Sequence, residues 1–143
     1  MVKEINLFFS YYYRDQNDYD RIVKLLEEKG YFVFKNYSLD EDSDASNEEY
    51  IKSKIRPQID KSSRIVVLIG PGTYSRKYVN YEIEYAARKE KRIVGVFLRG
   101  ESDSRLPRAL RELRNSNYVN LALVKWNTDK IIAAIRDTNY WEE

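Results

Sequence analysis

One acid stands in an unusual place in this chain. The segment Ser75-Arg-Lys-Tyr78-Val-Asn-Tyr-Glu82-Ile-Glu-Tyr-Ala86 follows a strand-like run, Arg64 to Ile69, and the turn Gly70-Pro71-Gly72-Thr73. It reads as the start of a helix. With Val79, Ile83, Ala86 and Ala87 as the face packed on a sheet, helical spacing sets Glu82 at the margin of that face rather than opposite it. Tyr78 is one turn earlier, at i and i+4, so the two side chains are neighbours. A carboxylate at an apolar margin, near a first turn and beside an aromatic ring, is placed for a pocket. The same spacing also fits a boundary glutamate that caps or pairs on a surface helix. Glu84 lies about 200° further round the helix, which points it to solvent.

Composition narrows the chemistry available. The 143 residues contain no cysteine and no histidine. Disulfides, thiol nucleophiles and the usual zinc ligands are therefore excluded, as are Ser-His-Asp and Cys-His arrangements. Proton work, if any, falls to carboxylates, lysines, tyrosines or the substrate itself. No metal site is expected. The 13 tyrosines supply aromatic area with a polar tip, and most fit half-buried positions where phenylalanine would otherwise stand. The net charge of +2 is spread over mixed signs, without the basic block that nucleic acids require. Arg105 to Arg114 alternates with Leu106, Leu110 and Leu113, as in the solvated side of a short amphipathic helix. No run approaches the ~20 apolar residues of a membrane span, and the first residues lack a signal-peptide core. The expectation is a cytoplasmic protein without nucleic-acid or membrane partners.

The elements that must position Glu82 follow from the periodicity. Ile5 to Ser10 reads as a first strand, Tyr31 to Phe34 as a second, Arg64 to Ile69 as a central third, Arg92 to Leu98 as a fourth and Tyr118 to Val124 as a fifth. Between them, Asp15 to Lys29 reads as a helix stopped by Gly30. Asn36 to Ala45 reads as an acidic surface loop. Ser46-Asn-Glu-Glu49 is a capping-box pattern opening a helix with Ile51, Ile55 and Ile59 inward, which Pro57 is expected to kink or shorten. A last helix starts near Asn127 or Thr128, with Trp126 as a hydrophobic staple on Ile131. Such alternation predicts one α/β domain over 1–143, a flavodoxin-like three-layer sandwich around a five-stranded parallel sheet of order 2-1-3-4-5. Ligands bind such sheets beyond the carboxyl ends of the strands, at the switch point between strands one and three. That rule selects the loops Ser10 to Asp15, Asn36 to Ala45 and Gly70 to Ser75, and Glu82 follows the last of them.

Within this fold class, a response-regulator receiver needs an acidic pair after strand one and an aspartate ending strand three, and neither is present. A flavodoxin needs a Ser/Thr/Gly-rich phosphate loop where this chain has Tyr11-Tyr-Tyr-Arg-Asp-Gln. The pair Gly70-Pro-Gly72 lacks a phosphate-loop context and reads as a turn. The ordered features instead resemble the TIR family across almost the whole chain. These are Phe8-Phe-Ser10-Tyr11 with Asp15, Gly30-Tyr-Phe-Val-Phe34, Val66-Val-Leu-Ile-Gly70 with Tyr74-Ser75, Tyr78-Val-Asn-Tyr-Glu82-Ile, and Lys91-Arg-Ile-Val-Gly-Val96. A narrower resemblance is to the TIR-like ThsB family of Thoeris anti-phage defence, through Ile55-Arg56 with Ile59 and Leu68-Ile-Gly70 with Thr73.

The resemblance implies that Glu82 is catalytic and that the reaction breaks the nicotinamide–ribose bond of NAD+, a substrate rather than a cofactor. The transition state is oxocarbenium-like, and a carboxylate can stabilise it, orient ribose hydroxyls or bond to it. An internal nucleophile in place of water would give a cyclic ADP-ribose, a diffusible signal for an effector. By the same resemblance Tyr78, standing for the family's tryptophan, is a candidate to stack on nicotinamide or a base. Ser10 and Tyr11 are candidates to contact ribose or pyrophosphate, with Thr73 as a further substrate-binding candidate. Ser38 and Asp40 belong to the loop matching the mobile BB loop of TIR domains, which here lacks the Pro-Gly often seen there. Arg14 is a candidate for a phosphate or for a surface pair with Asp18. Family members often act as homo-oligomers, and many only assemble. A non-enzymatic interaction or nucleotide-sensing module, and a nucleoside deoxyribosyltransferase-like enzyme, are the competing readings.

Overall fold

The computed structural model describes residues 5–34, 48–101 and 105–142. Five strands, β1 (Asn6–Ser10), β2 (Phe32–Phe34), β3 (Arg64–Ile69), β4 (Arg92–Phe97) and β5 (Leu121–Val124), form one sheet of order β2-β1-β3-β4-β5. Every pairing is parallel, and Ser10 stands opposite Val67 in the β1–β3 register. Among the described residues four helices lie between successive strands, α1 (Gln16–Glu28), α2 (Glu48–Lys61), α3 (Lys77–Arg88) and α4 (Arg108–Asn115), and α5 (Thr128–Arg136) follows β5. The flavodoxin-like order read from the sequence is the observed one.

Both faces of the sheet are covered, which explains why β3 and β4 are near-continuous apolar runs. Alternate residues of each strand feed opposite cores. Phe8, Ile65, Val67, Ile69 and Ile93 pack under α2, α3 and α4. Leu7, Phe9, Val66, Val94 and Val124 pack under α1 and α5. Together these make three layers.

Several boundaries differ from the sequence reading, each for a local reason. Residues Tyr13–Asp15 form a 3-10 turn before α1, and Thr73–Ser75 form another before α3. Gly30, at φ +94°, ends the first helix as expected. Pro57 lies inside α2, and the helix continues to Lys61 instead of stopping there. Ile55 and Ile59, both fully buried, anchor it to the sheet on either side of the proline. β5 begins at Leu121 rather than Tyr118, because Asn117 turns the chain at φ +60° and the Tyr118 hydroxyl donates to the Lys91 carbonyl. Asn127 caps α5 by accepting from the Lys130 amide at 3.0 Å, and Trp126 shares a cluster with Ile131. Ser46 lies outside the described residues. Among those described, no helix is long and apolar enough to cross a membrane.

The amino-terminal end of the sheet is fastened by an arginine. Arg92 opens β4 with 2% of its surface exposed, and its guanidinium donates to the carbonyls of Ala134, Asp137, Thr138 and Tyr140 at 2.6–3.2 Å. They belong to the C-terminus of α5 and the turn after it, where helix carbonyls lose their intrahelical partners; that of Asp137 also accepts from the Tyr140 amide at 3.0 Å. Burial, and then the nearby Arg64, pull the Arg92 pKa down, but a guanidinium stays charged. We expect Arg92→Met to lower stability by about 3 kcal/mol in urea unfolding, because it removes five hydrogen bonds, the two to Ala134 being buried. A loss under about 0.5 kcal/mol, the size of an ordinary surface substitution, would contradict this role.

Candidate functional site

The site forms where β1 and β3 part company at their carboxyl ends. Period-two alternation turns Phe8 and Ser10 toward α3, and Phe9 and Tyr11 toward α1. On α3 the buried stripe is Tyr78, Val79, Glu82, Ile83, Tyr85 and Ala86. Glu82 is not at the margin of this stripe but inside it, with no exposed surface. Its Oε1 accepts a hydrogen bond from Ser10 Oγ at 2.6 Å. Ser10 is equally buried. A carboxylate taken out of water needs such a partner, and a bond this short has the length of a charge-assisted one. The sequence pointed to both residues separately, and the fold joins them.

The other candidates are placed differently. Tyr78 is 4% exposed and belongs to the core under α3, so its ring fills the interior rather than offering a face to a base. Its position at i−4 from Glu82 puts it in the same buried stripe. Tyr11 faces the opposite layer. Its ring stacks on Tyr19 at 4.2 Å and its hydroxyl donates to Gln16, while burial, and then Tyr19, push its pKa upward. A ribose contact from Tyr11 is not what this arrangement supplies, because the strand turns it away from Ser10. Thr73 has no exposed surface, and its Oγ1 accepts from the Gly70 amide at 2.9 Å, closing the turn after β3. Ser38 and Asp40 lie outside the described residues. Glu84 is half-exposed and pairs with Arg108 at 2.8 Å.

The sequence selected the loops Ser10 to Asp15 and Gly70 to Ser75 and named Arg14, but did not reveal the pairing of arginines with the Tyr12 and Tyr74 rings at the rim of this crevice. Arg76 lies over the Tyr12 ring at 4.4 Å and Arg105 over the Tyr74 ring at 4.7 Å, with Arg14 at 5.8 Å from Tyr12. Tyr74, not Tyr78, is the exposed ring after β3. Guanidinium–aromatic plates of this kind suit anionic and planar groups. The run Tyr11-Tyr12-Tyr13 was visible in the sequence, but which ring would face the crevice was not. Asn80 was also unremarked. Its amide donates to the carbonyls of Tyr74 and Arg76 and its oxygen accepts from the Ala109 amide, tying the first turn of α3 to α4. A hollow of about 270 Å³ lies by Tyr118, Val119 and Trp141, near the amino-terminal end of β5, and includes none of these residues.

The fold and this strand-end carboxylate define a TIR-like α/β domain. Residues 8–103 match the family described as Thoeris protein ThsB, TIR-like domain, and the chain belongs to that family. It is 30% identical over 109 residues to a protein of Bacillus cereus (strain MSX-D12) provisionally named cyclic ADP-D-ribose synthase ThsB1. That match covers 72% of this chain and 55% of the relative, so the chain spans about half the length of the curated protein. The structure of a CMP N-glycosidase from Clostridium botulinum, BcmB, is similar in fold, with a TM-score of 0.61 at 15% identity, covering 89% of this chain and 94% of that one.

Removing the hydroxyl of Ser10 leaves Glu82 buried without the donor to its Oε1. We expect Ser10→Ala to cost about 1–3 kcal/mol in urea unfolding at neutral pH. A change within about 0.5 kcal/mol would show that the bond has no energetic weight.

Proposed function

We propose that the protein, taken as one TIR-like domain over 1–143, cleaves the nicotinamide–ribose bond of NAD+ with Glu82 and converts the ADP-ribosyl part to a cyclic product. The observation that carries this reading is the buried Glu82 carboxylate held by Ser10 at the switch point of a ThsB-family domain. The relative's name supports the choice of product.

The chemistry suits the residues present. Nicotinamide leaves as a neutral molecule, so no acid is needed to protonate it, and the lack of histidine is no obstacle. Positive charge grows on the ribose as the bond breaks, and a carboxylate in a low-dielectric site stabilises it strongly. The Ser10 hydroxyl fixes which carboxylate oxygen faces the ribose. The arginine–tyrosine plates at Tyr12 and Tyr74 suit the diphosphate and a base. Glu82 has no exposed surface, so the substrate reaches it only when the strand-end loops separate. Homo-oligomer formation through the domain would supply such a rearrangement, and the cyclic product would act on an effector without contact. A second reading, an interaction module in which Ser10 and Glu82 are a structural pair, is favoured by that same complete burial.

The test is incubation of the pure protein with NAD+, followed by mass spectrometry of released nicotinamide and the second product. Glu82→Gln is expected to reduce release by about 100-fold or more. Glu84→Gln, which breaks only a half-exposed pair, is expected to stay within about twofold. Release that survives Glu82→Gln would refute the assignment. Release absent from every form, including protein driven to assemble, would favour the interaction module.

A further inference from the structure

We propose that Asp15 is a positioning residue for Glu82, clamping the turn after β3 onto the segment after β1 and so setting where α3 begins. The inference rests on the reading of Glu82 as the working carboxylate.

The geometry is a three-point grip. The Asp15 carboxyl group lies flat against the Cα of Gly70, where an added Cβ would stand 2.6 Å from Oδ2 and 3.0 Å from Oδ1. A side chain at position 70 would therefore require the Asp15 carboxyl to shift away. Thr73 Oγ1 accepts from the Gly70 amide and is bonded to Asp15, so its single hydroxyl proton is the one given to the carboxylate. Two residues on, an added Cβ at Gly72 would stand 2.8 Å from the Tyr12 ring. The segment after β1 therefore holds Gly70, Gly72 and Thr73 together. Arg76, which ends this turn, is the residue before α3, and Glu82 sits less than two turns into that helix.

This grip is held at a cost in stability. Asp15 Oδ2 is buried and lacks a hydrogen-bond partner. The charged groups facing the carboxyl are Asp18 on α1 and Glu101 after β4, both of like sign. Burial first, and these two acids next, push the pKa up to about 6, against the opposing bond from Thr73. The folded chain therefore keeps a proton on Asp15 that the unfolded chain releases near pH 4. The stability this contributes is present below about pH 4 and lost as pH rises through about 6. Near neutral pH the ionised group works against the fold. A residue with only a structural role would have little reason to be an aspartate here, since asparagine has the same shape without the charge.

The test compares Asp15→Asn, Thr73→Val and Thr73→Ser by thermal unfolding across pH, by hydrogen exchange of peptides spanning 77–86, and by nicotinamide release. Asp15→Asn is expected to match or exceed the parent Tm near neutral pH, with the excess vanishing toward pH 4. The same variant is expected to exchange faster at the start of α3. Its kcat is expected to fall about tenfold or more with KM within about twofold, because the carboxylate is displaced rather than the substrate contacts. Thr73→Val should exchange and turn over like Asp15→Asn, and Thr73→Ser should restore parent behaviour. Unchanged exchange, unchanged turnover, or a loss of Tm and activity together would overturn the proposal. Exchange does not require turnover, so a parent protein inactive on NAD+ would refute the NAD+ reading while exchange alone decides the clamp.

Discussion

The arrangement depends on one constraint: a carboxylate with no exposed surface must find its hydrogen bond inside the protein. Glu82 finds it on Ser10, the last residue of β1, across 72 positions of sequence. A buried acid without a donor is strongly destabilising, so strand and helix must meet within hydrogen-bond reach. That requirement propagates outward. β1 must end in a small hydroxyl residue on the α3 side of the sheet. The turn between β3 and α3 must be compact enough to start the helix beside it. Gly70 and Gly72 supply that compactness by letting Asp15 and the Tyr12 ring approach their Cα atoms, where a Cβ would collide.

The two ends of the sheet divide the labour. At the carboxyl ends, polar groups from successive loops converge: Ser10, Asp15, Thr73, Glu82 and the guanidinium–tyrosine plates. The orphaned Asp15 oxygen and the complete burial of Glu82 belong to this end. At the amino end, Arg92 satisfies four carbonyls and binds the tail of α5 to β4. The Arg92 guanidinium is matched there by its partners, whereas Gln58 Oε1, in the last turn of α2, is buried without one. The orphaned Asp15 oxygen lies at the end where parallel α/β sheets place their sites.

Much of the fold was legible because its signals are local. Apolar runs of strand length, helical spacing in Ile22 to Leu26 and Ile51 to Ile59, and Gly30 as a stop are properties of short segments. Their alternation leaves few topologies, and the parallel order follows from right-handed crossovers. The misreadings came where packing overrides a local rule. Pro57 does not end α2, because Ile55 and Ile59 hold the helix to the sheet on both sides of it. Tyr78 looked like an aromatic partner lining a pocket, yet the same i, i+4 spacing that places it beside Glu82 also places it in the core.

By itself, then, the sequence determined the layer architecture, the strand order, the exclusion of histidine and cysteine chemistry, and Glu82 as the acid of interest. These depend on residue type and on spacings within one element. Tertiary structure decided what Glu82 touches, that Tyr11 turns to the opposite layer from Ser10, that Tyr12 and Tyr74 form the rim, and that Asp15 lies on Gly70. Each of these is a meeting between segments far apart in the chain. Its geometry is set by the twist of the sheet and the seating of α3 against it, which no single stretch of sequence encodes.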